Sequence, residues 1–137
     1  MKTVGYTAGT FDMLHVGHLN ILKKAKSMCD FLIVGVSTDE SAMKKGKKTV
    51  MPFSHRMELV RSLKFVDSVI PQEDIMDKLE VHSKTNFDIL FVGDDYYDKS
   101  PYKELELKLE KRGVKTIYFP YTDGVSSSKY KEIINHE

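Results

Sequence analysis

Asp12, His15 and His18 stand three residues apart in the stretch GTFDMLHVGH, a carboxylate and two imidazoles at one short junction. Side chains of these types at this spacing have two chemistries open to them. As D-x-x-H-x-x-H they form a candidate facial triad for a divalent metal. Alternatively, Gly17 lets the chain turn sharply into a helix that begins at His18 or Leu19, and both imidazoles point from its first turn at one anion. Free amides at a helix start favour an anion by ~0.3–1 kcal/mol per charge. Imidazole donors aimed at charge that grows in a transition state commonly contribute roughly 100- to 1000-fold in rate. The glycine that interrupts the pair, and the lack of a further His, Cys or Glu nearby in sequence, favour phosphate over metal. The bland alternative is a solvated cap.

Three further segments carry chemistry. Lys44, Lys45, Lys47 and Lys48 surround Gly46 in KKGKK, which is either a solvated loop or a basic lid that closes on phosphates. GDDYYD offers Asp94 and Asp95 to a ribose, a base or Mg²⁺, with Tyr96 and Tyr97 able to stack or simply to pack. In TDGVSSS, Thr122, Ser126, Ser127 and Ser128 around Gly124 present more hydroxyls than the single serine an N-cap needs.

The elements that must position these residues follow from hydropathy period. Strands are expected over 3–8, 30–37, 67–71, 87–93 and 114–120, and helices over 18–28, 55–64, 73–85, 102–113 and 126–136. Residues 41–51 break the pattern and are expected to be a mobile basic loop. Gly113 is the expected C-cap of the fourth helix. Such alternation predicts an α/β, Rossmann-like three-layer fold, a five-stranded parallel sheet with helices on both faces. Ligands in such sheets bind beyond the carboxyl ends of the strands. The loaded segments follow the first, second, fourth and fifth strands, so a single crevice is expected there.

Residues 1–137 are expected to form one domain, large enough to bury a core without disulfides. Lys plus Arg number 21 against 20 Asp plus Glu, a net charge of +1 that gives no broad surface for nucleic acid or membrane. The single Cys29 cannot form an internal disulfide and suits a reducing cytoplasm. No leader pattern opens the chain, and no apolar run nears the ~18 residues of a membrane span.

GTFDMLHVGH and YTDGVSSS together resemble the cytidylyltransferase family of the nucleotidyltransferase superfamily, most closely the bacterial branch acting on glycerol 3-phosphate. VSTDE, the Lys-rich loop, His55–Arg56, VDSVIP and GDD extend the similarity nearly end to end. The resemblance implies a Mg²⁺-dependent transfer of CMP from CTP to a small phosphorylated alcohol, with release of pyrophosphate and no covalent intermediate. Carried over, it places Thr10, Phe11 and Gly17 against nucleotide, His15 and His18 on the reacting phosphates, and Lys47 on CTP. Asp12, Lys45 and Lys78 fall on the acceptor side, with Lys45 and Lys47 counted among the catalytic groups. Asp94 and Tyr96 fall in the cytosine–ribose region. Tyr121, Thr122, Gly124, Val125, Ser126, Ser127 and Ser128 cradle the triphosphate, through which Mg²⁺ is mainly bound. A homodimer is implied through the His55–Arg56 segment. Tyr121 stands where the family signature has Arg, Tyr96 where it has Trp and Lys64 where it has Arg. A Tyr hydroxyl donates one hydrogen bond and no charge, which makes Arg61, Lys64 and Lys129 candidates to compensate. Other expectations compatible with these residues are a different phosphomonoester acceptor (phosphocholine, phosphoethanolamine or a sugar phosphate), ATP as donor, or a nucleotide-binding module without turnover.

Overall fold

The computed structural model describes residues 2–74, 77–93 and 101–120. Its centre is strand β1 (Val4–Gly9), flanked on one side by β2 (Phe31–Ser37) and β3 (Ser68–Gln72) and on the other by β4 (Ile89–Gly93) and β5 (Lys115–Phe119). All pairings are parallel, in the order β3-β2-β1-β4-β5. Helices α1 (Val16–Ser27), α2 (Asp39–Lys44), α3 (Phe53–Arg61), α4 (Asp77–Thr85) and α5 (Tyr102–Glu110) connect them.

The near-continuous apolar run of β2 is what burial on both faces requires, and the pleat sorts it into two cores. Leu32, Val34 and Val36 join Phe91 and Phe119 beneath Leu22 and Ala25 of α1 and Val60 of α3. Ile33 joins Tyr6, Leu90 and Val92 beneath Leu105 and Leu109 of α5, with Leu79 and Val81 of α4 packed alongside. The three-layer, doubly covered sheet is therefore the one the alternation predicts. The chain reverses direction of winding between β1 and β4, so their carboxyl ends open the crevice.

Several element bounds differ from those expected. Residues 41–51 are not all loop, because Ser41–Lys44 belong to α2. The Thr38 side chain accepts from the Ser41 amide at 3.1 Å, and Asp39 and Glu40 lie in the first turn, where the helix dipole favours them. Helix α1 begins at Val16, with His15 as its N-cap, rather than at His18 or Leu19. Strand β3 runs one residue past Pro71, which is tolerated because β3 is an edge strand. The C-cap of α5 is Lys111 rather than Gly113, which follows two residues later in the left-handed region at φ +86. The helix expected over 126–136 lies outside the described residues.

Arg56 of α3 is wholly buried and supplies hydrogen bonds to four places at once. Its Nη1 donates to the carbonyls of Thr10 at 2.8 Å and Ser37 at 2.6 Å, its Nε to Met51 at 3.0 Å, and its Nη2 to the Asp39 carboxylate at 2.7 Å. That guanidinium holds the Asp39 carboxyl below its usual pKa. Arg56 is thus consumed inside its own chain and is no surface contact for a dimer, whereas its neighbour His55 is exposed. Arg56→Met should destabilise the fold by about 3 kcal/mol, since it orphans three carbonyls as well as the ion pair. Urea denaturation would show this as a lowered midpoint at unchanged slope, and Arg56→Lys should recover less than half of the loss.

Candidate functional site

Strand β1 delivers the histidine segment through two left-handed residues, Phe11 (φ 53) and Met13 (φ 51). The Phe11 ring folds back on Gly9, where an added Cβ would stand 3.1 Å from it, and comes within 5.4 Å of the His18 ring. Phe11 is largely core. Between them Asp12 is 2% exposed, and its two carboxylate oxygens accept the amides of Val50 at 2.8 Å and Met51 at 2.9 Å. Asp12 therefore pins the end of the Lys-rich segment to the end of β1. Among the described residues no three His, Cys, Asp or Glu come together as a metal set, so the facial triad is overturned.

The histidines cap the helix, the bland alternative of the sequence reading, and both take part. His15 Nδ1 accepts the Gly17 amide at 3.1 Å, and His18 Nδ1 accepts the His15 amide at 3.1 Å. They form a reciprocal capping box, a motif usually built from Ser or Thr with Glu or Gln. Gly17 lies in the first turn of α1 and is not the sharp bend; that bend belongs to residues 11–13. The rings stack, with centroids 3.9 Å apart and 27° between planes. A ring nitrogen that accepts an amide carries no hydrogen, so each neutral imidazole has its proton on Nε2. Protonation would break both caps. Burial, then the neighbouring His15, pushes the His18 pKa down to about 4, with Lys47 acting in the same direction and Asp12 against it. Burial lowers His15 as well. Near neutrality the pair is two uncharged, fixed N–H donors at a helix start.

A second feature lies beyond β2 and β3. Lys78, in the first turn of α4, is 3% exposed, and its ammonium lies 5.6 Å from the centre of the Tyr102 ring. It has no ion pair or hydrogen bond among the described residues. Burial, then the charge of Lys45, lowers its pKa to about 7 against the pull of Asp74 and Asp77. Lys45 is the C-cap of α2 and is followed by Gly46 at φ +77. The protein around its ammonium, then Lys47, lowers Lys45 too, although the residue as a whole is exposed.

These electrostatic neighbours form one row. His15 acts on His18, Lys47 on His18 and on Lys45, and Lys45 on Lys78. The row runs from the start of α1 to the start of α4 along the carboxyl ends of the strands. It gathers four expected catalytic residues, His15, His18, Lys45 and Lys47, with the expected acceptor residue Lys78. Thr10 contributes its carbonyl to Arg56. Asp94, Tyr96, Tyr121, Thr122, Gly124, Val125, Ser126, Ser127 and Ser128 lie outside the described residues. Arg61, a candidate to compensate for Tyr121, is paired with Glu58 at 3.0 Å.

Fold and site together define a parallel α/β domain whose strand ends carry neutral imidazole donors and lysines suited to phosphates. The chain belongs to the cytidylyltransferase-like family, whose model matches residues 6–133. It is 36% identical over 134 residues to glycerol-3-phosphate cytidylyltransferase of Bacillus subtilis, covering 98% of each chain. It is also 38% identical over 130 residues to FAD synthase of Pyrococcus abyssi, covering 92% of this chain and 86% of that one. Among solved structures it superposes on a lipopolysaccharide core biosynthesis protein from Thermoplasma volcanium with a TM-score of 0.73 and 30% identity, covering 89% of this chain and 98% of that one. No helix among the described residues is long and apolar enough to cross a membrane.

Two stability measurements test this electrostatic description. The folded His18 titrates near 4, below its ordinary value of 6.5, so across that window the unfolded chain binds more protons. Stability should therefore fall as pH drops from about 6.5 to about 4. His18→Gln, which can keep the capping box without titrating, should flatten that slope in urea denaturation; an unchanged slope would refute the assignment. By the same linkage Lys78 burdens the folded state at pH 7 and ceases to do so as pH approaches 10.5. Lys78→Met should raise the unfolding midpoint at pH 7, with the gain over wild type shrinking towards pH 10.5.

Proposed function

We propose that the protein is a CTP-dependent cytidylyltransferase that joins CMP to a small phosphorylated alcohol, glycerol 3-phosphate first among candidates, and releases pyrophosphate. The observation that carries this reading is the row from His15 and His18 through Lys47 and Lys45 to Lys78. It offers fixed donors at one end and, at the other, a buried ammonium that has no ion pair among the described residues, one end for each of two phosphates that must meet. An acceptor phosphate oxygen attacks the α-phosphorus of CTP. A new P–O bond forms, and the α–β bridging bond breaks with its electron pair leaving on pyrophosphate. Lys45 and Lys78 hold the acceptor phosphate, while His15 and His18 donate through Nε2 to nucleotide phosphate oxygens without surrendering a proton. Catalysis on this scheme is positioning plus charge stabilisation.

Mg²⁺ would neutralise charge on the triphosphate. It is proposed to arrive on the nucleotide, since Asp12, the carboxylate nearest the histidines in sequence, spends both oxygens on the amides of Val50 and Met51. Thr10 and Phe11 on the near side, and Asp94, Tyr96 and Tyr121–Ser128 on the other, are proposed to complete the nucleotide site. A cytoplasmic homodimer is the proposed assembly.

Similarity to glycerol-3-phosphate cytidylyltransferases at 36% identity over nearly the whole chain supports the substrate assignment. Similarity to FAD synthases at 36–38% supports a second reading, adenylyl transfer from ATP. Pyrophosphate release should be measured with CTP or ATP, Mg²⁺ and a panel of glycerol 3-phosphate, phosphocholine, phosphoethanolamine, a sugar phosphate and FMN. Turnover of CTP with glycerol 3-phosphate above all others is the expected result. Turnover confined to ATP and FMN, or CTP binding with no turnover at all, would overturn it. His15→Ala and His18→Ala should each lower kcat by roughly 100- to 1000-fold while unfolding remains cooperative.

A further inference from the structure

Tyr6 sits wholly buried in the middle of β1, its ring stacked on Phe87 with centroids 5.2 Å apart. A phenylalanine would fill the same volume among Ile33, Leu90 and Leu105 with no polar atom to satisfy. The hydroxyl instead crosses β2 and donates to Oε1 of Gln72 at the end of β3. It passes at Gly35, where a Cβ would lie against the Tyr6 oxygen and 3.0 Å from Cζ. Burial raises the Tyr6 pKa well above that of an ordinary phenol, so the group is a permanent hydrogen donor.

Gln72 is equally buried, and it ties together the two places from which the lysines come. Its Nε2 donates to the Asp74 carbonyl. That carbonyl also accepts the Asp77 amide at 3.1 Å, and the Asp74 amide donates to the Asp77 carboxylate at 2.9 Å, which fixes the start of α4. Lys78 follows directly. The Gln72 carbonyl accepts the amide of Thr38 at 3.2 Å, and Thr38 is the N-cap of the helix that ends at Lys45.

We infer that Tyr6, acting through Gln72, is a positioning residue that holds the start of α4 so that Lys78 meets the acceptor phosphate. This rests on the acceptor role proposed above for Lys78. The Gly35 notch, the buried hydroxyl and the amide of Gln72 form one continuous relay from the sheet centre to Asp74 and to Asp77 at the start of α4, the residue before Lys78. Nothing in the relay touches the histidine end, so its loss should be felt by the acceptor and not by the nucleotide.

The test uses Tyr6→Phe, Gln72→Met and the double variant Tyr6→Phe/Gly35→Ala, whose new methyl fills the space left by the hydroxyl. Steady-state kinetics with CTP and glycerol 3-phosphate should show the acceptor KM raised about tenfold or more in all three, since small misplacements cost this much or more. The CTP KM should stay within about twofold. The double variant should be more stable to heat than Gly35→Ala alone while keeping the acceptor defect, which separates positioning from stability. A second readout needs no turnover. In Tyr6→Phe, the Lys78-dependent part of the stability slope between pH 7 and 10.5, read as the difference from Tyr6→Phe/Lys78→Met, should shrink as α4 relaxes and Lys78 is hydrated. An unchanged acceptor KM with an unchanged slope overturns the inference, as does an acceptor defect that disappears in the double variant. Should wild type turn over no phosphomonoester, the substrate reading falls and the slope alone decides the positioning role.

Discussion

A parallel sheet leaves the carboxyl ends of its strands to be organised by loops, and here one buried guanidinium gathers them. Arg56 reaches the carbonyls following β1, ending β2 and preceding α3, together with the Asp39 carboxylate at the start of α2. Asp12 closes the same ring from the opposite side by taking the amides of Val50 and Met51. Between them these two residues define where the histidine turn ends and where the Lys-rich segment begins and returns. Without that closure, neither the neutral imidazole pair nor Lys45 and Lys47 would have a fixed place relative to β1.

The site built on this ring is held in tension. A pair of stacked imidazoles kept neutral, and an ammonium buried against an aromatic ring with no ion pair among the described residues, both work against folding stability as pH falls through their ordinary range. Such groups persist where a ligand supplies what the protein withholds. A phosphate dianion beside Lys78 would restore its proton, and phosphate oxygens facing Nε2 would use donors that the caps have already oriented. On the proposed reading, the stability these groups cost the fold would be recovered as preference for an anion.

Much of this was legible in the chain. Apolar runs such as FLIVGVS and the five-fold alternation are strong signals because burial on both faces leaves the composition little freedom. The Asp12, His15 and His18 cluster was legible as a place, but not as a role. Its i, i+3 histidines occupy N-cap and N3 positions, and that spacing was the available signal; histidine is simply a rare capping residue, so metal and phosphate readings stood ahead of it. The TDE of α2 was hidden by the lysines that follow, whose charge masks a six-residue helix made by its N-cap. Arg56 was legible only as part of the His55–Arg56 segment through which a dimer was implied, since no local pattern reveals contacts to residues 17, 19 and 46 positions away. The relay from Tyr6 to Gln72 was invisible for the same reason, because it joins strands through a vacancy at Gly35.

The division of cations follows from their chemistry. Arginine keeps its charge under all working conditions and presents a rigid fork, so it serves where four fixed acceptors must be met together and nothing is to change. Lysine is a point charge whose proton can be lost in a dry setting, so it serves where charge must be matched to a visiting phosphate. Histidine, locked through Nδ1 by the helix cap, provides direction with no charge. The chain places the first of these inward as structure and aligns the other two along the strand ends. The row can therefore attract, orient and respond to an anion while the scaffold beneath it stays electrostatically constant.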